Sequence, residues 1–351
     1  MLLYIHIPFC DSKCSYCAFN SYVDKFHLKK EYMDALLIQL KHEIIRFEAE
    51  EKSIETVFIG GGTPSTVSPQ LYAPLFTYLQ KYLQDDIEIT SEANPNSASF
   101  EWLEGMKKLG VNRISFGVQS FNADKLKLLN RAHSPQQAKD AIINAAKIGY
   151  KNLSLDIIYA TLGDTQELLH HDLESAFSLP INHLSAYALT IEEGTAFESK
   201  PQMAKERLPL TSWIFQSIQE KGFFQYEISN FGTYKSKHNL GYWEYKDYMG
   251  VGCGAVGKLS NERLYPSKNV EEYIANPTKI EQEQLTQEDI KIEKIFLGLR
   301  SCVGVSLHIL NKEEKKCVKI LLDEKKLTLW NETVYNPDYL LADEITLFIS
   351  S

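Results

Sequence analysis

The sequence predicts an α/β fold: an open, partial (β/α)6 barrel followed by a smaller C-terminal α+β appendage. Six short runs rich in β-branched and aromatic residues alternate with longer amphipathic runs. Alternation of that kind implies a parallel sheet with right-handed crossovers. Six units are too few for a complete eight-fold barrel, so the barrel is expected to stay open.

The first run, LLYIHIPF, is read as a strand. ETVFIGGG, DIEITSEANP, RISFGVQSF, NLSLDIIYA and HLSAYALT follow, each bounded by Gly, Pro, Asn or Thr. Helices are expected over about 27–50, 68–84, 98–109, 122–131, 134–149 and 166–178. In the first of these, Leu36, Leu37, Leu40, Ile44, Ile45 and Phe47 form an apolar stripe. In SPQQAKDAIINAAKIGY a Ser-Pro start and a late Gly punctuate the helix. These elements make up a barrel region, residues 1–224. Residues 225–285, aromatic and Gly-rich, read as a connecting segment of strands and irregular loops that carries HNLGYW. Residues 286–351 read as a small helical domain closed by a terminal hairpin, LTLWNE with EITLFIS.

Composition narrows the function. With 44% hydrophobic residues the 351-residue chain is able to bury a full core. Its net charge of −9 disfavours a nucleic-acid partner, which draws on clustered Lys and Arg. No run approaches the roughly 18 apolar residues of a membrane span, and MLLYIHIPF lacks the basic start of a secretory signal. Three cysteines are clustered and three scattered, which does not resemble a disulfide framework; a reducing, cytoplasmic location is expected.

Function in such sheets gathers at the C-terminal ends of the strands, and the unusual residues fall there. Cys10, Cys14 and Cys17 follow the first strand with the spacing C-x3-C-x2-C. Three thiolates suit an iron–sulfur cluster with one iron left for a small chelating molecule, or a zinc ion if His6 supplies a fourth ligand. Gly60-Gly61-Gly62 follows the second strand; its N–H groups are expected to be free for a ligand carboxylate, although a tight strand–helix turn reads the same way. Glu92, Gln119, Asp156, Tyr187 and Ala188 lie at or near later strand ends, and Arg131 lies in LNRAHS. A carboxylate on that rim suits a ribose hydroxyl pair. His238 in HNLGYW is a candidate axial haem ligand or a satisfied core histidine.

YIHIPFCDSKCSYCAF resembles the opening of radical S-adenosylmethionine (SAM) proteins of the anaerobic coproporphyrinogen oxidase superfamily. GGGTPS, EANP, RISFGVQSF, NRAHS, HLSAYALT, YEISNF and HNLGYW resemble its other markers, in order. The oxidases carry C-x3-C-x2-C-x-C and a long N-terminal extension. Here Phe19 takes the fourth position and nine residues precede Cys10, as in the haem chaperone HemW family. The resemblance implies a protein that binds haem and passes it to acceptor proteins, with roles in porphyrin metabolism. The alternatives are an oxygen-independent coproporphyrinogen III oxidase, another radical SAM enzyme, or a zinc-bearing binding module. It further implies a [4Fe–4S] cluster on Cys10, Cys14 and Cys17, with SAM on its open iron. Tyr4, Tyr16, Gly61, Gly62, Thr63 and Glu92 match SAM-contacting positions; Gln119, Arg131, Asp156 and Ala188 match contacts to SAM or a second molecule of it. Some positions depart from the pattern. Ala160 replaces a Gly and Leu162 a Pro in DIIYATLGDT, Glu193 a Pro in TIEEGT, and Val256 a His in GCGAVG, which leaves His238 as the first choice of haem ligand.

Overall fold

The computed structural model describes residues 1–205 and 207–350. β1 (Leu2–Ile7) is followed by α1 (Lys29–Arg46), β2 (Ile54–Gly61), α2 (Pro69–Leu79), β3 (Leu83–Ala93), α3 (Phe100–Lys108) and β4 (Arg113–Gln119). Next come α4 (Ala123–Leu128), α5 (Pro135–Ile148), β5 (Asn152–Tyr159), α6 (Gln166–Phe177), β6 (His183–Ala188) and α7 (Leu208–Glu220). β1 to β6 lie side by side in chain order, each neighbouring pair parallel. β1 and β6 do not pair with each other, so the barrel is partial, as the sequence predicts.

Strand alternation separates two faces. Leu3, Ile5, Ile7, Val57, Ile59, Ile114, Phe116, Leu153 and Leu155 belong to the main apolar core, beneath the helices. The alternate positions include Tyr4, His6, Thr56, Phe58, Glu88, Glu92, Arg113, Ser115, Asp156 and His183, and these face the bore. A closed barrel of this type fills its interior with branched aliphatic layers; here the bore is polar. The helix punctuation works as read: Ser134 and Gln137 form a capping box, and Gly149 ends α5 at φ +96°. In α1, Leu36, Leu40 and Ile44 are buried, but Ile45 is 76% exposed. It lies about 100° round the helix from Ile44, off the stripe.

Residues 225–285 are more than a connector. β7 (Phe224–Gln225) and β8 (Asn230–Gly232) extend the sheet antiparallel beyond β6. After α8 (Lys237–Trp243), β9 (Tyr248–Val251) pairs parallel with β1. β10 (Gly257–Leu259), β11 (Glu262–Pro266), α9 (Val270–Ala275) and β12 (Ile280–Gln284) continue that edge. Met249, Val251, Leu264, Val270 and Tyr273 share the main core.

HNLGYW, expected among strands and loops, lies within α8. Ser236 caps the helix by accepting the N–H of Asn239. The buried Glu88 carboxylate accepts the N–H groups of Lys237 (2.9 Å) and His238 (3.0 Å) and the O–H of Tyr234 (2.6 Å). It thereby meets donors that the first turn of a helix leaves unpaired. Gly241 lets the helix lie on β1, since a Cβ there would stand 2.6 Å from the Leu2 side chain. α8 floors the bore at the N-terminal end of the strands.

The C-terminal part comprises α10 (Gln287–Leu299), β13 (Val305–Ser306), α11 (Lys312–Asp323), β14 (Thr328–Trp330), β15 (Thr333–Tyr335) and α12 (Ala342–Ser350). It has its own core, which includes Ile295, Leu299, Val318, Leu321, Val334 and Ile345. The expected hairpin partner, EITLFIS, is instead helix α12. Its Ile345 and Ile349 are four apart and buried, while Leu347 and Phe348 face outward, so the period is helical. β14 pairs with β15 through Asn331 and Glu332, both at positive φ, a two-residue turn without the usual Asn-Gly signal.

Replacing Glu88 by Ala orphans the helix donors inside the protein. Glu88→Ala is expected to remove about 3 kcal/mol of unfolding free energy, read by urea titration; a loss below about 1 kcal/mol would show that α8 does not depend on this carboxylate.

Candidate functional site

The site begins where β1 meets the turn after β2. Gly62 N–H donates to the Ile7 carbonyl (2.7 Å) and Thr63 N–H to the Phe9 carbonyl (2.8 Å). Gly61 sits at φ +108°, and a Cβ on it would stand 2.5 Å from the His6 ring, so only glycine fits. The turn was expected to leave N–H groups for a ligand. Instead Gly62 and Thr63 hold the start of the cysteine loop, and Gly61 N–H donates to Glu92 (3.1 Å).

The loop is tied down at several further points. Tyr22 N–H donates to the Pro8 carbonyl, Cys10 N–H to that of Tyr22, and Ser15 N–H to that of Leu129. Thr63 Oγ1 donates to Cys10 Sγ (3.4 Å), and Arg131 Nη1 to Cys14 Sγ (3.2 Å). Nη2 of Arg131 reaches Asn94 Oδ1 (2.7 Å) and the Gly117 carbonyl. Burial pushes the Cys10 and Cys17 thiols up, so a metal must displace their protons. His6, the possible fourth zinc ligand, is engaged at both nitrogens, by Tyr4 Oη (2.9 Å) and the Asn20 carbonyl (2.8 Å). Among the described residues no three His, Cys, Asp or Glu side chains close on a single-ion point. Three soft donors beside a cavity fit a [4Fe–4S] cluster.

The cavity has a volume of about 320 Å³. It is lined by Cys10, Cys14, Cys17, Tyr16, Gly61, Gly62, Thr63, Glu92, Gln119, Arg131, Asp156 and Ala188. Of the residues singled out in the sequence, Tyr4, His6, Gly60 and His238 lie outside this lining. Tyr4 lies beneath, bonded to His6 and beside Phe58. His238 is 1% exposed in the floor of the bore, with Nδ1 on Thr56 Oγ1 (2.7 Å) and its ring stacked on Phe58. It lies outside the cavity lining and away from the surface, and its buried Nε2 has no hydrogen-bond partner among the described residues. Asn94 and Ser115 were missed. Asn94 joins Arg131 to Thr63, and its signal was present in EANP, just past the end of β3 and two positions after Glu92.

Burial, reinforced by the charge of Asp156, pushes the Glu92 carboxyl up to about 8. Burial also raises Asp156 to about 6, against hydrogen bonds from Ser185 and Ser115. The cavity floor therefore holds protons near neutrality and becomes more acidic when a cationic ligand arrives. Gln119 closes β4 at φ +70°, with its buried Oε1 unpartnered. Strain of this kind gathers at ligand sites.

Six parallel strands that stop short of closure, three thiols after the first and a glycine turn after the second define a radical SAM core. The model of the Radical SAM superfamily matches residues 4–176. The chain is 36% identical to heme chaperone HemW of Bacillus subtilis over 86% of this chain and 84% of that one. It is 35% identical to its Lactococcus lactis counterpart (95% and 90% covered) and 40% identical to that of Escherichia coli (74% and 70%). The coproporphyrinogen III oxidase of Escherichia coli, a radical SAM enzyme, shares the fold with a TM-score of 0.83 and 20% identity, over 100% of this chain and 90% of that one. The chain belongs to the haem chaperone HemW family.

Two outcomes follow from the site. Ala160 stands at φ +61°, a conformation that disfavours any side chain. Ala160→Gly relieves about 1–2 kcal/mol of strain against about 0.5–1 of added chain entropy. A net gain of about 0.5–1 kcal/mol in denaturant unfolding is expected; a net loss would mean that the left-handed turn carries no strain. The raised Glu92 pKa stabilises the fold fully below its ordinary 4.5, and this contribution is lost as pH rises towards about 8. The ligand-free Tm of the wild type should therefore fall more steeply with pH across that window than the Tm of Glu92→Gln. Parallel curves would reject the assignment.

Proposed function

We propose that this protein is a haem chaperone: it binds haem and transfers it to acceptor proteins from a radical SAM core. The observation that carries this reading is the 36% identity to a heme chaperone over 86% of the chain. The three-thiol loop with Phe19 in place of a fourth Cys supports it. Cys10, Cys14 and Cys17 would hold the [4Fe–4S] cluster. Tyr16, Gly61, Gly62, Thr63, Glu92, Gln119, Arg131, Asp156 and Ala188 would surround SAM, with Tyr4 supporting from beneath. When bound, such a cluster supplies single electrons and SAM receives them, so the demanding chemistry belongs to the cofactors. The chain's own part is to bind and orient: Arg131 steadies Cys14, and Glu92 and Asp156 set the polarity of the floor. All six cysteines are unpaired, which supports a reducing, cytoplasmic setting. No helix among the described residues is long and apolar enough to cross a membrane.

Haem titration and coproporphyrinogen turnover, run side by side on one anaerobic, cluster-loaded sample, test the reading. A saturable Soret shift without decarboxylation is expected; turnover without haem binding would overturn it. His238→Ala should keep the Soret shift and lose stability, because His238 braces α8 against β2. Abolition of the shift in a folded variant would restore His238 as a ligand.

A further inference from the structure

We infer that haem docks across the mouth of the cavity, its ring against Phe19 and its carboxylates toward Lys13, and leaves the interior to the smaller cofactor. This rests on the haem-chaperone reading above.

The cavity volume, about 320 Å³, lies at the small end of ligand pockets, which run from about 300 to 1,000 Å³. That space suits one nucleoside-sized molecule. Haem is larger, rigid and flat, and its apolar ring is ill matched to a floor made of Glu92, Asp156 and Ser115.

The mouth has the opposite character. Phe19 is 67% exposed, although it sits on the loop of the three thiols and lines the cavity. Tyr187, 41% exposed, lies on the same lining, with the apolar Ile158 and Leu189. Single exposed hydrophobes are ordinary, but here two large rings share the lip of one cavity. An aromatic side chain gives large contact area to a flat ligand.

Lys13 supplies the matching charge. Its Nζ donates to the Phe19 carbonyl and to Ser21 Oγ, both at 2.7 Å. No carboxylate among the described residues forms an ion pair with it, although the chain carries a net charge of −9. An ammonium has three donors, so one remains for a ligand anion. The cation is tied to the residue that bears the ring, and an apolar plate with carboxylates at its edge answers both.

The test is a titration of the full-length, cluster-loaded protein with hemin under anaerobic conditions, with and without saturating SAM. Haem affinity should change less than about twofold on adding SAM, because the two occupy different volumes. Displacement of SAM by haem, one for one, would overturn the inference and needs no variant. Phe19→Ser should weaken haem binding about tenfold, the scale of one lost aromatic contact, with iron and sulfide content unchanged, while Phe19→Trp retains binding. Lys13→Gln should weaken hemin but not hemin dimethyl ester, whose carboxylates are blocked. Unchanged affinity in iron-replete Phe19→Ser, or an effect confined to self-association, would sink the docking alone. A wild type that binds no haem at all would instead sink the chaperone reading beneath it.

Discussion

Two backbone hydrogen bonds, Gly62 N–H to the Ile7 carbonyl and Thr63 N–H to the Phe9 carbonyl, decide where the chemistry of this protein is placed. They continue the pairing of β1 with β2 past the end of the strands and set the direction in which the cysteine loop leaves. They require a backbone that approaches within contact distance of Phe9 and Cys10, which a side chain at Gly62 would block. The Arg131 guanidinium then ties Cys14 to Asn94 and Gly117, so the loop is braced from β3 and β4 as well. Three thiols on an irregular loop thus inherit the rigidity of the sheet, which a multi-iron centre requires of its ligands.

The same economy shapes the bore. An open barrel cannot bury its inner face against itself, so that face must be solvated, filled or covered. Here it is polar at the top, where the cavity lies, and covered at the bottom by α8. Burying the Glu88 carboxylate is tolerable only because the first turn of that helix and Tyr234 satisfy it. HNLGYW, which the sequence associates with haem, lies in the fold within the helix that packs on β1 and β2 beneath the bore.

The barrel was legible because its signals are local and repeated: strand runs of one period, helices of another, and glycine and proline punctuation between them. The rim was legible because strand ends gather chemistry wherever the strands are parallel, and this brought Cys10, Glu92, Gln119 and Asp156 together correctly. What escaped was set by tertiary partners. His238 has the composition of a ligand, and nothing local in HNLGYW shows that the fold sets its Nδ1 on Thr56 and its ring on Phe58 while Nε2 stays unpartnered. The Gly62 and Thr63 N–H groups looked free because their acceptors, the Ile7 and Phe9 carbonyls, lie more than fifty residues away in sequence. EITLFIS has a strand's residue types, and the buried core of the C-terminal part decided for a helix.

The departures at Ala160 and Leu162 show how far the cysteine loop's support reaches. Losing a glycine leaves Ala160 strained at φ +61°, yet losing a proline gives Leu162 an N–H, which donates to the Met203 carbonyl (2.8 Å). Lys205 N–H donates back to the Ala160 carbonyl, and Thr161 bridges to Ala204, so the loop after β5 is stitched to residues 203–205. Met203 packs in a small core with Leu129, Ile158, Leu189 and Phe197, against which Tyr16 of the cysteine loop lies. Phe197 N–H closes the circuit on the Ser15 carbonyl. Strain introduced at one strand end is therefore held by hydrogen bonds to a segment that shares a small core with the cysteine loop. The two substitutions are best understood together: the N–H that proline lacks anchors the turn that glycine would have relaxed.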